Sequence, residues 1–357
     1  MNSRVRLWLY LAATCGICLT AALVVKDGYR GILSTLELAG WGLLWLVPIR
    51  AAALALDARG WWLMLRPGDP KHRAGWGFLT WVANVRDGVS NLLPVARVGG
   101  DLLGIRLVMM RGLGGAAVTA SVLVEISITL INQFLFALLG LVLLVDRIRP
   151  DPLLLRLTIG VSLALPLALS LLALLRYGSV FQRLRRALKN VLGGDGKLTS
   201  LLGDAAVLDD EIRVLCGRMT RLIRCGLWQL AGMLVGAVEI WFTLKLLHHP
   251  VGLVTPLILE SLTQALRQIG FAVPAGLGVQ EAAFVMLGGM LGLSGDLALS
   301  LALARRLREL ACGIPMILSW QWVEGRRLRT LFSAPFRLPR KRPDSADRMG
   351  ADAADST

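Results

Sequence analysis

Long apolar runs, separated by short segments rich in arginine, dominate this chain. An α-helix needs about 20 mostly apolar residues to cross the hydrocarbon core of a membrane, and several of the runs are that long. We predict transmembrane helices over six of them: residues 7–25, 36–58, 118–145, 153–175, 222–247 and 297–323. The last run is interrupted by charges, at Arg305, Arg306, Arg308 and Glu309.

Two further segments, residues 75–111 and 251–294, are too interrupted for ordinary spans. Each contains a proline followed by glycines, and the first carries several charges, each of which would cost several kcal/mol against lipid. Hydrocarbon offers no water to an opened backbone, so such a break is tolerated where protein or a wet cavity supplies hydrogen-bond partners. We predict that each segment forms a re-entrant helical hairpin, which enters and leaves the membrane on the same side.

The predicted fold class is all-α: a polytopic membrane protein with about six transmembrane helices plus two inverted re-entrant helical hairpins. Residues 1–330 form the transmembrane domain, in which residues 176–221 are a cytoplasmic amphipathic segment. Residues 335–357 have little to bury, and we predict a disordered basic and polar tail.

The 55% hydrophobic content agrees with a membrane protein, and the net charge of +15 adds information on how the chain is oriented in the membrane. The arginines lie in short clusters between apolar runs, which is the pattern of cytoplasmic loops. On this pattern we expect a multi-pass protein with both termini in the cytoplasm. Nucleic-acid binding is not expected, since no compact soluble domain is left to provide it.

Cofactor and metal sites are also not expected. The sequence contains no nucleotide-binding loop of the Walker type. Cys15 and Cys18 have CxxC spacing, but they lie within an apolar run without a second ligand pair, which favours small core residues.

The two breaks resemble each other: "PVARVGGD" begins at Pro94 and "PAGLGVQE" begins at Pro274. Each has a carboxylate seven residues after its proline, at Asp101 and Glu281, and an arginine seven or eight residues before it. A pair of broken helices in opposite orientations is how transporters build a binding site near the bilayer midplane.

The chemistry of such a break suits an anionic headgroup. The helix that restarts after the proline has free N–H groups that attract anions, and arginine binds phosphate through two parallel hydrogen bonds. Asp101 and Glu281 would pair with arginines in the empty site or exchange protons. The alternative is that these pairs are structural clamps. The predicted substrate-binding residues are Arg86, Asn91, Pro94, Arg97, Gly100, Asp101, Arg106, Arg267, Pro274, Gly276, Gly278, Gln280 and Glu281.

Two more acids, Asp57 and Glu125, stand alone within apolar runs, and the sequence does not decide whether they are functional. An isolated carboxylate inside a membrane is nevertheless a candidate functional group.

The motifs "NLLPVARVGGDLLGIRL" and "VPAGLGVQEAAF" resemble a flippase-like membrane family, typified by the transmembrane region of lysylphosphatidylglycerol synthases. "ESLTQALRQIGFAVPAGLGVQEAAF", "LALARRLRELACGIP" and "WQWVEGRR" are similar to a subgroup associated with hopanoid biosynthesis. The resemblance implies an integral protein of the bacterial inner membrane that moves, or helps to move, a lipid between leaflets. Many relatives have an arginine and an acid after the position of Glu125, and this chain does not. The aminoacyl-transferase domain of the synthases is not found, so lipid aminoacylation is not expected.

We therefore expect a flippase or lipid transporter for an anionic, polyprenyl or hopanoid-type lipid, without an enzymatic step or cofactor. The alternatives are a membrane-embedded transferase of lipid or glycolipid synthesis, and an accessory scaffold for hopanoid synthesis. Expected partners are membrane lipids and hopanoid or other lipid-synthesis enzymes, and the sequence is compatible with a homo-oligomer.

Overall fold

The computed structural model describes residues 40–93, 96–147, 152–179, 182–183, 205–269 and 279–333. Its regular elements are helices, with two short 3₁₀ segments at Gly40–Trp45 and Arg66–Gly68. The α-helices are α1 (Leu46–Leu65), α2 (Trp76–Leu92), α3 (Ala96–Met109), α4 (Gly115–Arg147), α5 (Pro152–Tyr177), α6 (Ala205–Cys216), α7 (Met219–Leu246), α8 (Val254–Ile269), α9 (Val279–Met290) and α10 (Gly295–Ser333). The all-α prediction is confirmed for the described chain.

Among the described residues, three helical segments are long and apolar enough to cross a membrane: Gly40–Gly68, Gly115–Arg147 and Met219–Leu246. They correspond to three of the predicted spans, and α9 is a shorter apolar helix. Helices α5 and α10 cover two more predicted spans without being among these three. The first predicted span, residues 7–25, lies outside the described residues, so the total of six remains a prediction.

The exposed side chains explain why a membrane is the solvent for this fold. On α4, Leu135, Leu139 and Val142 are exposed and follow each other at helical spacing, so they form one outward apolar face. Buried polar residues, including Ser121 and Asn132, occupy other positions of the same helix. Apolar side chains outside and polar side chains inside are expected where lipid surrounds a helix bundle.

Both predicted hairpins contain two packed helices. Helix α2 ends at Leu92, α3 starts at Ala96, and the two pack against each other. Helix α8 ends at Ile269, α9 starts at Val279, and these also pack together. Pro94 and Val95, and residues 270–278, lie outside the described part.

Glycines bring several helices into close contact. A Cβ added at Gly60 of α1 would lie 3.1 Å from the carbonyl oxygen of Cys225 on α7. A Cβ added at Gly88 of α2 would lie 3.1 Å from the Cα of Gly313 on α10. Small residues of this kind allow membrane helices to approach to backbone contact. They bring α2, which carries predicted site residues, directly against α10.

The chain divides into two compact units, Met1–Ile317 and Leu318–Thr357. In the second unit, the indole of Trp320 donates a hydrogen bond to the carboxylate of Glu324 at 2.9 Å. The predicted tail, residues 335–357, lies outside the described residues. Helix α6 falls within the predicted amphipathic segment, of which residues 184–204 are outside them.

Candidate functional site

Arginines and carboxylates from eight helices come together inside the bundle, and we call this set the charged cluster. Each helix contributes at least one charge on its inward side, and most of these side chains are buried or half-buried. The charged cluster consists of Arg50 and Asp57 on α1, Arg86 and Asp87 on α2, Asp101 on α3, Glu125 on α4, Glu239 on α7, Glu260 and Arg267 on α8, Glu281 on α9, and Arg305, Arg306, Arg308 and Glu309 on α10.

The first hairpin places an arginine between two acids. The guanidinium of Arg86 donates to Asp101 Oδ1 at 2.5 Å and to Glu125 Oε2 at 3.1 Å. The same guanidinium lies over the ring of Trp61, 4.8 Å from its centroid. Two carboxylates and an aromatic face therefore hold one cation at the junction of α1, α2, α3 and α4. Glu125 is thus not the isolated acid that its sequence position suggested.

Glycines on α3 make room for this arginine. A Cβ at Gly100 would lie 2.6 Å from the carbonyl oxygen of Arg86 and would also clash with the hydroxyl of Ser90. A Cβ at Gly104 would lie 2.6 Å from the Cδ of Arg86. Gly100, which was predicted as a site residue, thus allows the close approach of α3 to α2.

The second hairpin has a similar arrangement around Arg306 of α10. Its guanidinium donates to Glu281 Oε1 at 3.0 Å and to Glu309 Oε2 at 3.0 Å. Glu309 also accepts a hydrogen bond from Arg267 at 3.4 Å, and its carboxylate lies 3.6 Å from the guanidinium of Arg308. The pairing of Asp101 with Arg86 agrees with the sequence analysis. The arginine recorded beside Glu281 is Arg306, which was not among the predicted site residues.

One hydrogen bond joins the two hairpins directly. Nη2 of Arg267, near the end of α8, donates to the side-chain oxygen of Asn91, near the end of α2, at 3.0 Å. Asn91 is three residues before Pro94, and Arg267 is seven residues before Pro274. The helices that lead into the two breaks are therefore in contact, as expected for two halves of one site.

Three further ion pairs surround these groups. Arg50 donates to Asp87 at 2.6 Å, Arg308 to Glu239 at 2.8 Å, and Arg305 to both oxygens of Glu260 at 2.5 and 3.1 Å. Sequence reasoning missed all three pairs as site components. The available signal was the group "ARRLRE" inside an otherwise apolar run, since charges in a membrane segment need partners.

The carboxylates of the two hairpins differ from the acids behind them in exposure. The side chains of Asp101 and Glu281 are 28% and 25% exposed, whereas Glu125 and Glu309 are 9% and 1% exposed. In each half, a buried glutamate and a half-exposed acid thus share one arginine. The half-exposed acid is the partner that a ligand from the membrane or from water can reach.

Gln280, a predicted site residue, lies next to Glu281 and is 1% exposed. Within the described structure, neither the amide nitrogen nor the amide oxygen of its side chain has a hydrogen-bond partner. Leaving a buried amide without partners costs about 1–3 kcal/mol, so this side chain is a candidate for binding a polar ligand.

The remaining predicted residues are less well placed. Arg106 is half-buried on α3, five residues after Asp101. The side chain of Arg97 lies outside the described part of the structure. The same holds for Pro94, Pro274, Gly276 and Gly278. Among the described residues, no group of three or more His, Cys, Asp or Glu side chains is placed to hold a metal.

Residues 9–315 match the family model described as the lysylphosphatidylglycerol synthase TM region. The chain belongs to this family. The match includes both hairpins and the whole charged cluster, which supports the resemblance seen in the two motifs. No curated protein and no solved structure matches the chain. The chain is thus a multi-pass helical member of a membrane family, with a charged cluster inside its bundle.

Proposed function

We propose that this protein moves a lipid with a charged headgroup between the leaflets of the bacterial inner membrane. The observation that carries the proposal is the repeated unit in the two hairpins. In each, one arginine is shared by a buried glutamate and a half-exposed acid, and a direct contact of Arg267 with Asn91 joins the two halves.

The cost of the charged cluster supports a functional role. Removing an ion pair from water costs several kcal/mol per ion, and a well-packed apolar replacement is often equally stable or more stable. Arg305 and Glu260 are 7% and 0% exposed, so their pair bears that cost nearly in full. If these residues served only to keep the bundle folded, apolar side chains in their place would stabilise it at a lower cost in free energy.

The proposed mechanism is an exchange of partners at the half-exposed acids. A phosphate-bearing headgroup would take the place of Asp101 at Arg86, or of Glu281 at Arg306, while Glu125 and Glu309 keep each arginine in position. Arginine suits this exchange because its planar fork binds phosphate and carboxylate in the same geometry. The amide of Gln280, which has no hydrogen-bond partner among the described residues, would donate to and accept from the headgroup beside Glu281.

The membrane arrangement that this mechanism needs is the one predicted from sequence. The two hairpins would be re-entrant and inverted, so that their breaks meet near the bilayer midplane, with the lipid tails remaining in the membrane. Both termini would be cytoplasmic. The candidate lipids are anionic, polyprenyl or hopanoid-type lipids, and the hopanoid association remains a prediction.

A leaflet-resolved assay in proteoliposomes tests the proposal. Purified protein is reconstituted with a fluorescent phosphatidylglycerol, and a reductant that does not cross the membrane reports how fast the probe changes leaflets. We expect transfer in the wild type and a loss of about tenfold, equivalent to ~1.4 kcal/mol, in Glu281→Gln. Asp210→Asn is the matched control, because its side chain is 68% exposed and lies outside the charged cluster.

The same preparation distinguishes the alternative functions. A wild-type protein that converts a lipid precursor to product without moving the probe would indicate a transferase. A protein that shows neither activity, while retaining a bound lipid-synthesis enzyme in co-purification, would indicate a scaffold. Either result contradicts the proposed lipid movement.

A further inference from the structure

Asp57 differs from every other acid of the charged cluster. It lies on α1, within the candidate membrane span Gly40–Gly68. The other seven carboxylates of the charged cluster each form an ion pair with an arginine. In the described structure, Asp57 has neither a hydrogen bond nor an ion pair, so it is the acid whose charge would be least compensated.

The arginine on the same face of α1 is already paired with another acid. Arg50 lies seven residues before Asp57, two turns along the same face of α1, and it donates to Asp87 at 2.6 Å. Its Nε is buried and has no hydrogen-bond partner among the described residues. Arg50 therefore has an unused donor, and besides its partner Asp87 two further acids, Glu239 and Asp57, lie within electrostatic range.

The carboxylate of Asp57 is held against α7. A Cβ added at Gly232 would lie 2.5 Å from Oδ1 of Asp57 and 3.1 Å from the carbonyl oxygen of Ala53. Only a glycine leaves room for the acid at this crossing. The acid is thus placed between two helices that are both candidate membrane spans.

The charged groups around Asp57 do not favour a negative charge on its carboxyl group. Helix α2 contributes Arg86 and Asp87, α4 contributes Glu125, and α7 contributes the thiol of Cys225. Arg86 is shared by two other acids, so its charge is compensated without Asp57. A carboxylate without a dedicated cation in a membrane interior is far more stable in its neutral, protonated form.

We propose that Asp57 is a proton-binding site, which is protonated while Arg50 is bound to Asp87 and ionises when Arg50 turns to it. The step is an acid dissociation: the O–H bond of the carboxylic acid breaks, and the proton leaves to water as hydronium. Arg50 then exchanges Asp87 for the new carboxylate. Its coupling to lipid movement rests on the proposed function, whereas the proton site itself does not.

Infrared difference spectroscopy of the full chain in liposomes tests the site. A protonated carboxyl group has a C=O stretching band that shifts on transfer from H₂O to D₂O. At pH 7 we expect such a band in the wild type, its loss in Asp57→Asn, and its retention at a shifted position in Asp57→Glu. Asp210→Asn is the control, since its side chain is 68% exposed and lies outside the charged cluster. Identical spectra for the wild type and Asp57→Asn would overturn the proposal.

A second variant tests the exchange of partners. Asp87→Asn removes the acid that holds Arg50, so Arg50 should pair with ionised Asp57 and the Asp57 band should disappear. A band that persists in Asp87→Asn contradicts the exchange.

The transport assay then distinguishes the two proposals. With an imposed pH gradient, wild-type transfer should depend on the gradient and Asp57→Asn transfer should not. An Asp57 band without lipid movement would contradict the proposed function and leave the proton site standing. Lipid movement without that band would contradict the proton site alone.

Discussion

The two hairpins each carry an arginine, a proline and a carboxylate at nearly the same spacing, yet they assemble their ion pairs differently. In the first, Arg86 belongs to the hairpin and itself joins Asp101 to Glu125. In the second, Arg306 of α10 joins Glu281 to Glu309, while the hairpin's own Arg267 contacts Glu309 and Asn91. The first unit is therefore centred on one arginine, whereas the second depends on α10 and on the opposite hairpin.

A common plan is still visible behind this difference. The hairpin arginine of each half forms an ion pair with a glutamate on the long helix that follows: Arg86 with Glu125, and Arg267 with Glu309. The partners are 39 residues apart in the first half and 42 in the second. The two halves thus share this ion pair, and the second half has additional arginines on α10. The predictions that follow test this comparison.

The largest difference in stability between the two halves should appear when their buried glutamates, Glu309 and Glu125, are neutralised. Glu309→Gln leaves Arg267, Arg306 and Arg308 with less compensation, and removing one partner of a buried ion pair costs about 3–5 kcal/mol. Glu125→Gln leaves Arg86 with Asp101 and should cost less. Thermal unfolding in detergent compares the two variants. Equal losses would show that the second unit is not the more interdependent one.

The second largest effect should come from removing the hydrogen bond between the two hairpins. Asn91→Leu keeps the side-chain size but removes the acceptor for Arg267, and a hydrogen bond to a charged group contributes about 1.5–3 kcal/mol. We expect both reduced stability and slower lipid transfer. Asn84→Leu, on the same helix, removes a bond within α2 and serves as the control. If both variants behave alike, the link between the hairpins is not functionally distinct.

The close approach of α3 to α2 can be tested through its glycine. Gly100→Ala should cost about 1–3 kcal/mol, because the new Cβ would lie 2.6 Å from a backbone oxygen. Gly289→Ala on α9 is the control, since nothing lies within 4 Å of its added Cβ. It should be neutral or slightly stabilising in a helix. The unfolding midpoints of the two variants test this expectation. A midpoint for Gly100→Ala equal to that of the wild type would argue against the close packing of α3 on α2.

The smallest difference is expected between the half-exposed acids. Asp101→Asn and Glu281→Gln should each slow lipid transfer about tenfold, or ~1.4 kcal/mol, and should change stability less than Glu309→Gln does. Similar losses in both would support two equivalent half-sites. A loss confined to one variant would restrict the headgroup site to that hairpin.

The described site was only partly predictable from the motifs. The motifs pointed to Arg86, Asp101, Arg267 and Glu281, because proline, glycine and charge are rare together in an apolar segment. Arg50, Arg305 and Arg308 were missed as site residues, since a charge within an apolar run does not reveal which distant acid it meets.

The sequence alone determined that this is a helical membrane protein, because the length of an apolar run is a local property that can be compared directly with the thickness of a bilayer. It also determined the family, through its two motifs. Which acid each arginine contacts was decided by the tertiary structure alone. The hydrogen-bonded pairs join residues from 3 to 69 positions apart, and glycines such as Gly88 and Gly100 set how closely the helices carrying them approach. The isolation of Asp57 is likewise a property of the fold, since it arises only once every nearby arginine has taken another partner.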